Sequence, residues 1–450
     1  MHAPRNVEDR SLPDGPLRLG WLATLRWARD PLGELERYGA RFGDTFTIQL
    51  PGIAEPIVIV SSPDAVRDCF ALGAEEGYAG KANAVLEPLL GRHSLLLLDG
   101  AEHLQHRKLI QPAFHGERMQ AYGRAMLDVT HASIDGWPLG SAFAILPHMQ
   151  AITLGVVVRT VLGLSDSARA AEVVALFSRT LDTASSPLLL VRLLHRDLGP
   201  FSPWGRFVRI RDRARAMLAE EIATVRTHAG ERSDVLAMMA AAEDESGRAL
   251  SDEELRDELI TLLVAGYETT AAALSWALRW ILPDQELVSR LRAEIATAAD
   301  DPALIQRLPL LDGAVKEALR LQPIVPLVGR LLQRPTKIAE LLLPQDVIVA
   351  PAIHLVHQRP ELYPEPRRFD PDRFTTFKPR PFEWLPFGGG LRRCIGAAFA
   401  TYEMKMVLAA TLSRVDARLA QSEVGIARRG VTLSPSGGLP IVVRSRRGLP

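Results

Sequence analysis

The sequence predicts a mainly α protein with small β-sheets, and three observations carry that reading. Helical hydrophobic periodicity dominates from Ser62 onward, over Pro63 to Ala71, His103 to Phe114, Arg118 to Asp135, Met149 to Leu162, Ala168 to Leu181 and Pro203 to His228. Alternating β-branched segments are few: the stretch Asp44 to Val60 reads as a hairpin around a Pro-Gly break, with short strands near Val328 to Gln333 and Val347 to Ala350. Finally, Ser251 opens a Ser-x-x-Glu capping box and launches a helical pattern that lasts to Pro283. At ~1.5 Å per residue that helix is nearly 50 Å long. Its middle is apolar all round, so it is expected to run through the core.

A helix from Ala303, another from Asp312 to Leu321, a Pro-rich stretch from His357 to Phe387, one more helix and terminal strands complete the pattern. The segment Pro187 to Trp204, with three further breakers at Gly199, Pro200 and Pro203, reads as a flexible connection suited to a lid. No repeat or composition break demands a boundary, so residues 1–450 are expected to form one domain with 1–30 as an extended N-terminal segment.

Composition narrows the function classes. With 47% hydrophobic and 24% charged residues the chain is that of a soluble globular protein. Basic and acidic residues both number 53, so no net field attracts a polyanion and no nucleic-acid partner is expected. Two cysteines, Cys69 and Cys394, are too few for a disulfide framework and fit a reducing, cytoplasmic setting. The N-terminal stretch is broken by Pro4, Pro13 and Pro16, and lacks the ~18 to 20 apolar residues of a membrane span, so no integral anchor is expected. Leu19 to Trp27 is read as core-packing or entrance-lining rather than membrane-grazing.

Positions 386 to 396 read PFGGGLRRCIG and run straight into a helical pattern. Cys394 therefore sits just before a helix N-terminus, whose partial positive charge and free N–H groups favour a thiolate. Gly388 and its two neighbours let the loop fold tightly, Gly396 lets the helix start lie close, and the fork of Arg392 suits a carboxylate. Cys69 lies on an amphipathic helix with no such loop and reads as structural. Neither cysteine has a second Cys or paired His at zinc-ligand spacing.

The string Phe387, Gly390, Arg392, Cys394, Gly396 resembles the cytochrome P450 signature FxxGxRxCxG at every defined position. The resemblance implies the triangular P450 fold, with haem b between the long central helix and the helix after the cysteine. It implies Cys394 as the iron ligand, Phe387 shielding the sulfur, Arg392 on a propionate, and Pro386, Gly388 and Gly396 in the cofactor-binding loop. Thiolate ligation favours O–O cleavage, hence monooxygenase chemistry with O2.

Within the long helix, VAGYETTAAAL places Gly266, Glu268, Thr269 and Thr270 where helix propensity disfavours glycine and threonine. A threonine there can bond back to the carbonyl four residues earlier, Ala265, and leave a small polar notch. The same residues fit a close helix crossing. AGYETT also resembles the family's oxygen-binding AGxxTT, which implies Ala265 and Gly266 at the cofactor and a proton relay through Glu268 and Thr269.

Glu317 and Arg320 in KEALRL share a helical face, an ordinary ion-pair spacing on its own. Their order before FDPDRF at 369 to 374 resembles the family's ExxR and PxRF motifs, which implies a buried network of Glu317, Arg320 and Arg373 that fixes the cysteine loop. His103 and Arg107 at i and i+4, with Arg330, match the family's propionate-binding positions; His106 is the weaker candidate.

The resemblance also points to a substrate pocket from Tyr78 to Leu97, 181 to 200, Ala265, Ile324 to Val328 and Leu433 to Gly437. These apolar segments fit a lipophilic small molecule such as a fatty acid, terpenoid or steroid-like compound. A ferredoxin-type redox partner, fed from NAD(P)H by ferredoxin reductase and docking near Arg392 and Arg393, is implied for a monomeric soluble member. A peroxide-driven peroxygenase of the same fold and a non-enzymatic haem-binding protein are the alternatives; neither needs the Glu268–Thr269 pair.

Overall fold

The computed structural model describes residues 12–16, 21–50, 53–114, 118–164, 167–184, 199, 202–228, 232, 234–429 and 431–448. Its axis is the helix Asp252–Ile281, capped by a reciprocal box in which Ser251 accepts from the Glu254 N–H and Glu254 accepts from the Ser251 N–H. This helix is long and apolar enough to cross a membrane, yet 67% of its apolar window is buried inside the protein. It is the core helix of the fold, packed along Leu146–Val161. At that crossing a Cβ on Gly266 would stand 3.1 Å from Val157 Cγ2, and Thr153 Oγ1 donates to Tyr267 O at 2.9 Å. The closeness of the two helices is what the glycine permits.

The hairpin forms as expected, Thr45–Ile48 pairing antiparallel with Ile57–Val60 in the register Thr45 to Val60. Ile57–Val60 then pairs in parallel with Ile348–Pro351, followed by Arg330–Leu332 and Gly77–Tyr78 in a five-stranded sheet. All four residues of Ile57–Val60 are buried because it lies inside the sheet. The pleat sends Ile57 and Ile59 into one apolar cluster with Phe46 and Leu35, and Val58 and Val60 into another with Leu332 and Val349.

The extended segment expected over 1–30 is a correction: Trp21–Arg29 forms a helix, and Trp27 is buried in the cluster beside that sheet. A second helix follows at Pro31–Phe42, with the Asp30 side chain accepting from the Gly33 N–H and Pro31 in the first turn. Helices at Val235–Ala241 and Gln285–Ala296 also lie outside the sequence expectation. The expected helix from Ala303 is a single turn, Pro302–Ile305. The lid expected over 181–200 falls largely on 185–198, outside the described residues.

Candidate active site

The loop that carries Cys394 is closed by its own backbone, the Cys394 N–H donating to Phe387 O at 2.9 Å. Gly388 and Gly390 take positive φ, 65° and 64°. What presses on the loop is Phe70, from the helix Pro63–Ala71. A Cβ on Gly390 would come within 2.0 Å of Phe70 O, and one on Gly389 within 2.8 Å of the Phe70 ring. Phe70 in turn stacks on Phe382 with ring centres 5.9 Å apart. The glycines therefore serve packing against a neighbouring helix as well as any cofactor. Gly396 differs from expectation, since a Cβ there would meet nothing within 4 Å and no close helix start requires it. Its N–H instead acts to lower the pKa of the Cys394 thiol.

Cys394 is exposed, yet it sits deep enough that burial is the largest influence on its thiol and pushes its pKa up. The Gly396 N–H, Arg393 and Arg107 pull the other way and do not prevail. A metal bound at this sulfur would hold it as the thiolate and release its proton. Cys69, fully buried and pushed up to about 12, is inert, as its setting implied.

Against the glycine loop lies a cluster of basic side chains, and of its arginines Arg107 acts on the Cys394 sulfur together with Arg393. His103, Arg330 and Arg392 line one small pocket with Phe70, Gly100 and Gly389. Burial, then Arg392, Arg107 and Arg330, pushes His103 down to about 3, so its ring is neutral. Burial lowers Arg107 and Arg330 and takes Arg392 to about 10. Among the described residues neither Arg107 nor Arg330 forms an ion pair, whereas Arg392 bonds to Leu95 O, Leu98 O and Asp99. A half-buried and a buried guanidinium without an ion-pair partner among the described residues suit an anionic group. A haem with its two propionates fits that demand. Arg107 and Arg330 stand ready for it, while Arg392 already holds Asp99.

In the central helix, Thr269 Oγ1 donates to Ala265 O at 2.5 Å, the back-bond anticipated from the sequence. The middle of the helix is not buried all round, however. Ala265 is exposed and Gly266, Glu268 and Thr269 are partly so, while Tyr267 and Thr270 are buried. One face of the core helix is thus left uncovered at the i, i+4 pair Ala265 and Thr269. Of the other expected pocket segments, Ile324 and Leu433 meet through a 2.9 Å bond from the Leu433 N–H to Ile324 O.

Glu317 and Arg320 are fully buried. Arg320 donates to both Glu317 oxygens at 2.6 and 2.8 Å, and to the carbonyls of His357, Pro366 and Arg368. Arg373 reaches Glu317 more loosely at 3.4 Å, and the Asp370 N–H adds a bond at 3.1 Å. The sequence motifs miss how this network grips the cysteine loop. Trp384 Nε1 donates to Lys316 O, and the Leu385 N–H donates to His357 Nε2. His106, the weaker candidate, faces away from the cation cluster and pairs with Glu258 at 2.9 Å. Phe387 is partly buried and edge-on to Trp384.

A cysteine at the head of a helix, a basic pocket against its loop, and a core helix with a partly exposed alcohol and acid suit a flat dianionic cofactor. A family model described as cytochrome P450 matches residues 13–437. A putative cytochrome P450 135B1 of Mycobacterium tuberculosis is 41% identical over 408 residues, which cover 90% of this chain and 85% of the relative. A putative cytochrome P450 138 of the same organism is 33% identical over 417 residues, 92% of this chain and 91% of the relative. Of solved structures, the retinoic acid bound cyanobacterial CYP120A1 matches with a TM-score of 0.84 and 27% identity over 97% of this chain and 99% of its own. A cytochrome P450DA heme domain gives the same TM-score of 0.84 at 22% identity over 97% and 98%, a likeness of fold alone. The chain belongs to the cytochrome P450 family, and is accordingly a haem-thiolate monooxygenase, an oxidoreductase with iron.

Proposed function

We propose that this enzyme inserts one oxygen atom of O2 into a lipophilic small molecule of fatty-acid, terpenoid or steroid-like type, with Cys394 as the iron ligand. Electrons come from NAD(P)H through ferredoxin reductase and a ferredoxin-type partner, and the protein acts as a cytoplasmic monomer. The observation that carries the reading is the cluster of Arg107 and Arg330 around neutral His103, in which Arg107 acts on Cys394, the cysteine that heads a helix. Bound by a thiolate, haem iron supplies reductive activation of dioxygen, one oxygen atom going to substrate and the other to water.

The chain's own residues supply protons and orientation. Glu268 takes protons from the solvent side and passes them along the exposed face of the central helix. Thr269 Oγ1, held by Ala265 O, keeps lone pairs free to accept them. Arg107 and Arg330 bind the propionates, and Glu317, Arg320 and Arg373 hold the cysteine loop in register. The retinoic acid bound to the cyanobacterial relative, a long isoprenoid acid, supports an apolar elongated substrate here.

Turnover of a lipid and terpenoid library, screened by the low-spin to high-spin change on binding, tests the substrate class. Product is expected with ferredoxin, its reductase and NAD(P)H, and Thr269→Ala is expected to divert electrons to peroxide. Turnover with hydrogen peroxide alone, or unchanged coupling in Thr269→Ala, contradicts the proposal.

A further inference from the structure

We infer that His357 is a positioning residue for the cysteine loop, one whose ring must be neutral and carry its hydrogen on Nδ1. The inference rests on Cys394 being the iron ligand. His357 is fully buried at the end of the short helix Ile353–His357. Its Nδ1 lies 3.0 Å from Arg320 O, and its Nε2 lies 2.8 Å from the Leu385 nitrogen. Neither partner leaves a choice. A carbonyl oxygen only accepts and a backbone N–H only donates, so Nδ1 bears the hydrogen and Nε2 the lone pair.

The ring therefore joins two segments that the sequence keeps far apart. Arg320 belongs to the buried ion pair on the helix Pro309–Leu321, and Leu385 lies two residues before Phe387, whose carbonyl closes the loop on the Cys394 N–H. A doubly protonated ring would aim an N–H at the Leu385 N–H and place a charge beside the buried Arg320. Burial and Arg320 together hold the ring neutral, and the Tyr363 ring, 6.2 Å away at 81°, fixes its plane. The acceptor at Nε2 is thus, beside the Trp384 to Lys316 bond, a link through which the ion-pair helix sets the approach of the sulfur.

Two near-isosteric replacements separate this role from simple packing. In His357→Gln the side-chain oxygen falls near Nε2 and still accepts from Leu385. In His357→Asn the amide nitrogen falls near Nδ1 and bonds only Arg320 O. The haem-loaded full chain is reduced with dithionite, exposed to carbon monoxide, and read for the red-shifted Soret band of a thiolate ligand against the shorter-wavelength band of a neutral one. Haem content and far-ultraviolet circular dichroism are recorded alongside. His357→Gln is expected to keep the wild-type ratio of the two bands. His357→Asn, with a buried N–H left unpaired, is expected to lower it roughly tenfold. Equal ratios in the two variants, whether both high or both low, overturn the inference.

Wild-type protein labelled with nitrogen-15 histidine gives a second reading that needs no variant. In the diamagnetic carbon-monoxide form, His357 is expected to show a protonated Nδ1 and a bare Nε2 across neutral pH. The opposite tautomer, or a doubly protonated ring, overturns the role. A wild-type chain without the red-shifted Soret band removes the ligand assignment itself and the inference with it.

Discussion

Replacing Glu317 by alanine tests the network beneath the cysteine loop. Glu317 and Arg320 are both wholly buried, and two bonds of 2.6 and 2.8 Å join them. Removing one member of such a pair strands a charge in low dielectric, at about 3–5 kcal/mol. The Asp370 N–H also loses its acceptor, which adds about 1–3 kcal/mol. Against a native stability of about 5–15 kcal/mol, Glu317→Ala is left marginal, and haem-free or aggregated protein is expected. Urea unfolding followed by circular dichroism, with haem content measured on the same samples, gives both quantities. An isolated buried pair is often replaced by apolar residues without loss. Here Arg320 also satisfies three backbone carbonyls, those of His357, Pro366 and Arg368, so Glu317→Leu with Arg320→Leu is not expected to restore stability. Fully haem-loaded Glu317→Ala within about 1 kcal/mol of wild type, or rescue by the double replacement, refutes this reasoning.

The two positive-φ glycines give a paired comparison: Gly388→Ala meets nothing within 4 Å and is expected to cost about 1–2 kcal/mol of backbone strain, measurable by urea unfolding. Gly390→Ala also drives its Cβ into Phe70 O and is expected to abolish haem retention after gel filtration. Arg330→Leu removes a buried cation that lacks a carboxylate partner among the described residues; apoprotein stability is expected to hold or rise, and haem to dissociate faster to an apomyoglobin acceptor. Burial, and then Arg320, pushes His357 from its ordinary 6.5 down to about 3. The unfolded chain therefore takes up a proton that the native one refuses. This contribution to stability is intact above the unfolded value and declines as pH falls from there toward the folded one. His357→Gln is expected to flatten that part of the profile when urea stabilities are compared at neutral pH and roughly two units lower.

Much of the fold was legible because its signals are local. The capping box at Ser251 marks the start of the core helix, and alternation around the Pro-Gly break marks the hairpin. The start of Pro31–Phe42 was equally local, with Asp30 as cap and proline behind it, although it follows a segment whose prolines and charges suggest an extended chain. The motif string around Cys394 located the site, but three features depend on tertiary packing that spacing cannot express. Phe70, not the loop's own geometry, is what Gly389 and Gly390 must clear. His357 is a lone histidine ahead of a Pro-rich stretch, and only the fold brings it between Arg320 and Leu385. The grip on the loop is tertiary as well, since Trp384 Nε1 reaches Lys316 O on the ion-pair helix across 68 positions of sequence.

The central claim is a bond from Cys394 to haem iron, and the reduced protein's carbon-monoxide difference spectrum tests it most directly. Wild type is expected to give the red-shifted Soret maximum of thiolate ligation, and Cys394→His only the shorter-wavelength band. A wild-type spectrum without the red-shifted band, or a red-shifted band that survives in Cys394→His, contradicts the account.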